Sequence, residues 1–197
     1  GDLTMPAARL YAAVIQSDST TCAAVGAHGQ GGVGKTLYCL LVAHRVAEEA
    51  DGRRRFPDGV HWVQLSQDSS LVDVKQRLCD VATTLSGDHV VANDLDVAAG
   101  YLQAALQAKS CLLIVDDVWD DRWAATFIGA LRTSAGSCLL VSTRRVDIAA
   151  RTGMSTSVLV GTHEKTSAAG VLLVHAEAGG RIWEDKTDHL VQHAVSM

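Results

Sequence analysis

Short, continuously apolar runs alternate along this chain with longer stretches in which apolar residues return every three or four positions. The runs at 20–25, 60–65, 111–115, 137–142 and 158–160 predict five strands, and Cys111-Leu112-Leu113-Ile114-Val115 is the most apolar of them. A strand apolar on both faces suits a parallel sheet covered on both sides. Between the runs, helical periodicity predicts a short helix after Pro6 with Leu10 and Val14, joined by Leu3, on its apolar side. It predicts another over 37–50, with Leu37, Leu40, Leu41 and Val42 mostly inward and Arg45, Glu48 and Glu49 outward. Ser69 or Ser70 caps a third, whose face is Leu71, Val74, Leu78, Val81 and Leu85. The fourth spans 97–109, weakened by Gly100, and the fifth spans 119–132 with Trp123, Phe127, Ile128 and Leu131 inward. Arg53-Arg54-Arg55 and Phe56-Pro57-Asp58-Gly59 fall in turns, and 86–93 is loop. Strands separated by helices of this length predict an α/β fold, a doubly wound five-stranded parallel sheet between helical layers.

From about Thr162 the pattern becomes helical only, over 166–177 and 183–195. Two such helices cannot bury their apolar faces alone. The expected organisation is one domain over 1–161 and the start of a helical subdomain over 162–197.

Composition narrows the picture a little. At 197 residues, 48% hydrophobic and 20% charged, the chain can bury a sizeable core. A net charge of −5 argues against a nucleic-acid surface as its main business, and Arg53-Arg54-Arg55 reads as solvated. Five cysteines lie singly, without a C-x-x-C pair, and read as small core residues in a reducing, cytoplasmic setting. The eight histidines have no metal-site spacing, and no apolar run is long enough to span a bilayer. Beginning at Gly1-Asp2-Leu3 without an initiator Met, the chain reads as an excised piece of a longer protein.

One stretch carries chemistry. Gly29-Gln30-Gly31-Gly32-Val33-Gly34-Lys35-Thr36 fits G-x-x-x-x-G-K-[ST], between an expected strand and an expected helix. Glycines there let backbone N–H groups approach phosphate oxygens, and the following helix start adds free N–H groups and a positive dipole end. Lys35 is placed to reach the β- and γ-phosphates of a nucleotide and Thr36 to ligate Mg²⁺. Asp116, after the most apolar strand, is expected to complete the Mg²⁺ shell, and Asp117 to orient or accept a proton from an attacking water. Arg144, after the next strand, is the candidate sensor of a γ-phosphate, with Arg145 as its competitor; spacing does not choose between them.

Together, GQGGVGKT (29–36), VHWVQLSQ (60–67), CLLIVDDVWD (111–120) and GSCLLVSTR (136–144) resemble the successive motifs of the NB-ARC family. That family includes plant disease-resistance receptors and apoptotic protease-activating factors, and the ending at Trp119 is similar to its coiled-coil-class members. The resemblance implies a P-loop NTPase three-layer sandwich. It also implies a molecular switch in which ADP holds a closed state, and ATP with Mg²⁺ permits self-association of the full-length protein. Hydrolysis is slow and resets it. By resemblance Lys35 and Thr36 match the phosphate and Mg²⁺ residues, Asp116 and Asp117 the acidic pair, and Arg144 the sensor. The family's strand order puts the Arg144 strand between the other two motif strands. The arginine-bearing adenine-side motif is not recognisable in 3–10, and the later G-L-P-L and histidine motifs are absent. Two other readings of the same residues stay open: a P-loop kinase for a small molecule, and a degenerate scaffold that keeps nucleotide as a structural ligand.

Overall fold

All five apolar runs form strands, though not always over the expected residues. In the computed structural model, which describes residues 4–17, 23–134, 136–154 and 156–160, α1 (Thr4–Ile15) leads into β1 (Ala23–His28). Then come α2 (Lys35–Glu48), α3 (Ala50–Arg55), β2 (Val60–Gln64), α4 (Leu71–Ser86) and α5 (Leu95–Leu106). The unit closes with β3 (Leu112–Val118), α6 (Asp121–Leu131), β4 (Cys138–Thr143), α7 (Val146–Thr152) and β5 (Thr156–Leu159). The strands pair in the order β2-β3-β4-β1-β5, every pair parallel. The Arg144-bearing strand therefore lies between the strand of the glycine loop and the strand of the acidic pair, as expected.

Helices cover both faces. Helices α1 and α2 pack on one, while α4, α5, α6 and α7 form a continuous layer on the other. That is why β3 and β4 are apolar at successive positions: Leu112 through Val115 and Cys138 through Val141 are all fully buried. Leu113, Val115, Leu139 and Val141 face the second layer, where they meet Leu78, Leu102, Phe127 and Leu131. Each such leucine stabilises the fold by about 1.5–3 kcal/mol relative to exposure. Ser70 caps α4 with a reciprocal pair: its hydroxyl accepts from the Asp73 N–H, and the Asp73 carboxylate accepts from the Ser70 N–H.

Four expectations are corrected. Strand β1 runs on to His28, because Gly26, Ala27 and His28 lie between β4 and β5 and complete the ladder there. Helix α2 is rotated from the expected face: Val42 is buried as expected, but Lys35, Tyr38, Cys39 and Val46 join it inside, whereas Leu37, Leu40 and Leu41 are only half-buried. The three arginines form the end of α3, where Arg55 stacks on Phe56 and donates to the carbonyls of Gly136 and Ser17. Helix α7 was not expected at all; Ile148 and Ala149 are its buried residues. Residues 166–177 and 183–195 lie outside the described residues, as does Cys22; the other four cysteines are buried.

Candidate nucleotide site

The glycine loop joins the carboxyl end of β1 to the first turn of α2, at the central part of the sheet edge. Gly32 and Gly34 have φ of 77° and 89°, the left-handed region that a side chain disfavours. Gly34 is the residue before α2, so this conformation turns the chain directly into the helix and leaves its first N–H groups facing the loop. Lys35, buried at the helix start, folds back across the loop: its Nζ donates to Gly29 O at 2.9 Å and Gln30 O at 2.7 Å. Burial, and next the neighbouring Arg144 guanidinium, push its pKa down from the ordinary lysine value; Asp117 and Asp116 partly offset this. An anionic phosphate beside Lys35 would relieve both of the depressing effects.

The acidic pair sits in a distortion of β3. Val115 pairs with Val141 and Val118 with Thr143, so β3 carries one extra residue against β4. Strand β3 therefore does not stop at the pair, as the sequence suggested, but continues to Val118. Asp117 takes up the bulge with φ of 55°, an uncommon conformation for a residue with a side chain. The two carboxylates consequently point to different places. Asp116 is fully buried; its Oδ2 accepts from the Thr36 hydroxyl at 2.8 Å, and its Oδ1 accepts from the Ser142 hydroxyl. Burial raises its pKa, against the opposing bonds from Ser142 and Thr36, and the neighbouring Asp117 raises it further. Asp117 is partly exposed and lies 3.8 Å from Arg144 Nε.

Arg144 and Arg145 part company immediately after β4. The Arg144 guanidinium lies over the loop, so close to Gly31 that a Cβ there would sit 2.7 Å from Nη1. Its Cζ is 4.8 Å from the centre of the Trp119 ring. Arg145 turns away: it donates to both Asp147 oxygens, at 2.6 and 3.1 Å, and to Trp119 O at 3.1 Å. Lys35, Thr36, Asp116, Asp117 and Arg144 are thus brought to one place, and Arg145 is not.

Three further residues belong to the arrangement. Ser142 links the two halves of the acidic pair, donating to Asp116 while accepting from the Asp117 N–H at 2.9 Å. Gln64 is paired with Asp116 in the register of β2 and β3, its side-chain N–H donating to Leu65 O at 3.0 Å, and its neighbouring amide favours the charged form of that carboxylate. Trp119 underlies Arg144. The available sequence signal was the polar residue that ends an apolar strand, which marks Gln64 and Ser142; Trp119 was marked only as part of the family motif, with no role attached. Among the described residues no cluster of three His, Cys, Asp or Glu could hold a metal ion. A divalent cation here would be held by the Thr36 hydroxyl and the Asp116 carboxylate, with phosphate oxygens completing the shell.

A comparison of the whole chain with known families decides the identity, for the NB-ARC domain model matches residues 6–169. The chain belongs to the NB-ARC family. Among its curated relatives are Disease resistance RPP13-like protein 4 and Probable disease resistance RPP8-like protein 2, both of Arabidopsis thaliana. The first is 31% identical over 126 residues, 62% of this chain and 14% of that protein. The second is 32% identical over 108 residues, 55% of this chain and 11% of that protein. This NB-ARC chain therefore spans only about a seventh or less of these relatives' length. Solved structures share its fold. Aeropyrum pernix ORC1 in complex with DNA superposes with a TM-score of 0.62 at 13% identity, over 89% of this chain and 49% of that one. Aeropyrum pernix ORC2, solved as ADPNP–ADP complexes, gives 0.58 at 14% identity over 88% of this chain and 50% of that one. The fold is that of the P-loop NTPases, and the domain is a nucleotide-binding one.

Proposed function

We propose that this NB-ARC domain is an adenine-nucleotide switch that binds ADP or ATP with Mg²⁺ and distinguishes them by the γ-phosphate. The observation that carries the reading is the position of Arg144. It follows directly on β4, the strand between β1 and β3, and lies against Gly31 of the phosphate loop, where a third phosphate would project. Lys35 holds the β- and γ-phosphates, and Thr36 with Asp116 holds the cation. Asp117, the more exposed carboxylate, orients the attacking water in a slow hydrolysis that resets the switch. In the ATP state the full-length protein self-associates, in a cytoplasmic setting. Residues 1–161 form the nucleotide-binding domain, and 162–197 begin the helical subdomain that responds to it. The adenine-nucleotide complexes of the structurally similar Aeropyrum pernix ORC2 support the choice of base.

Thermal denaturation with and without Mg²⁺-ADP tests the reading. At 100 times Kd the ligand stabilises by about 2.7 kcal/mol, roughly 5–10 °C for a domain of this size. Folded protein that shows no shift, and releases no nucleotide on denaturation, refutes it.

A further inference from the structure

Arg144 needs more than its place in the sequence to face the loop. Its side chain is 46% exposed, and its ion pair with Asp117 is long, 3.8 Å, so neither burial nor a close salt bridge confines it. What lies beneath the guanidinium is the indole of Trp119, 4.8 Å from Cζ to ring centre, within the range of a cation–π contact. The indole is fixed in turn. Trp119 follows β3 directly, and its carbonyl accepts from Arg145 Nη1 at 3.1 Å. Arg145 is itself braced by the bidentate pair with Asp147 in the first turn of α7. The Trp119 N–H is buried without a protein partner among the described residues, so packing and the pin on its carbonyl hold the ring. Two adjacent arginines thus act on one tryptophan, one fastening its backbone and the other resting on its face.

We propose that Trp119 is a positioning residue for Arg144: its indole is the platform that keeps the guanidinium over Gly31 and so gives the site its preference for a γ-phosphate. This rests on the reading of Arg144 as the γ-phosphate sensor. A mobile guanidinium would have to be ordered each time ATP binds, and that cost would fall on ATP alone, because ADP offers Arg144 nothing to bind. Removing the platform therefore changes the ratio of the two affinities rather than both together.

The experiment titrates the chain, in Mg²⁺, with fluorescent ADP and a fluorescent non-hydrolysable ATP analogue. Trp119→Ala should weaken the ATP analogue roughly 2- to 5-fold, the worth of one cation–π contact, and leave ADP unchanged. Trp119→Phe keeps an aromatic face and should restore most of the loss. The decisive arm is the double variant: with Arg144→Ala already present, Trp119→Ala should cost nothing further, since the platform has nothing to hold. A loss shared by ADP, or one that persists in the Arg144→Ala background, makes Trp119 merely structural and overturns the platform while the sensor reading stands. If Arg144→Ala itself weakens both nucleotides alike, the sensor reading falls and takes the platform with it.

Discussion

Asp116 offers the sharpest test, because its assigned role should be visible as a cost to the protein that carries it. The carboxyl group is fully buried, and burial is the largest influence on it, raising its pKa. The hydroxyls of Ser142 and Thr36 favour the charged form but do not overcome that effect, and Asp117 adds to it. From the ordinary aspartate range up to the raised value, the folded chain therefore keeps a proton that the unfolded chain has lost. With more protons bound in the native state, stability falls as the pH rises through that window. Asp116→Asn removes this titration while keeping a side chain of the same shape that can still hydrogen-bond to both hydroxyls. A full proton's difference changes stability by about 1.4 kcal/mol per pH unit, or roughly 3–6 °C per unit for a chain of this size. The melting temperature of Asp116→Asn relative to wild type should therefore climb as the pH rises above the ordinary aspartate range, where most aspartates are charged. At neutral pH the same variant should lose the part of its ADP affinity that depends on Mg²⁺. Scanning calorimetry across that pH range, and ADP titrations in Mg²⁺ and in EDTA, measure the two halves. A difference in melting temperature that stays flat or shrinks with rising pH would show that the hydroxyls of Thr36 and Ser142 fully compensate the buried charge. Equal losses of ADP affinity in Mg²⁺ and EDTA would remove Asp116 from the cation shell.

Three other substitutions probe the loop and its neighbours. Lys35→Ala deletes a charged donor, worth about 1.5–3 kcal/mol, so nucleotide titration should show ADP and ATP both weakened, roughly 10- to 150-fold. Gly31→Ala puts a methyl group where Arg144 Nη1 lies. Since Gly31 has no left-handed φ to strain, the titration should show loss of ATP-analogue affinity with ADP nearly unchanged. Arg145→Ala unfastens Trp119 O and should weaken the ATP analogue less than Arg144→Ala does; an ADP loss of the same size would make Arg145 a general support of the fold.

The parallel sheet and most of its helices were legible because their cause is local. Uninterrupted apolar runs such as 111–115 and 137–142 leave no polar face to expose, so they must lie between two layers. The glycine loop was legible for a similar reason: the motif that predicts a phosphate-binding turn sets its glycines and its lysine at fixed offsets, and a short segment holds them all. What sequence could not decide was direction. The leucines of α2 looked like its core face, but the left-handed Gly34 and the burial of Lys35 set the rotation of the helix, and Tyr38, Cys39 and Val46 went inside beside the expected Val42. Adjacent Arg144 and Arg145 are equivalent by spacing, and only the turn from β4 into α7 aims one at Gly31 and the other at Asp147. Asp116 and Asp117 are separated by a bulge that appears only when β3 is laid against β4. Ser142, Gln64 and Trp119 join the site through strand pairing, across separations of many residues that no local pattern encodes. Propensity and periodicity act over a few positions, whereas the orientation of a side chain at a sheet edge is set by register with strands distant in sequence.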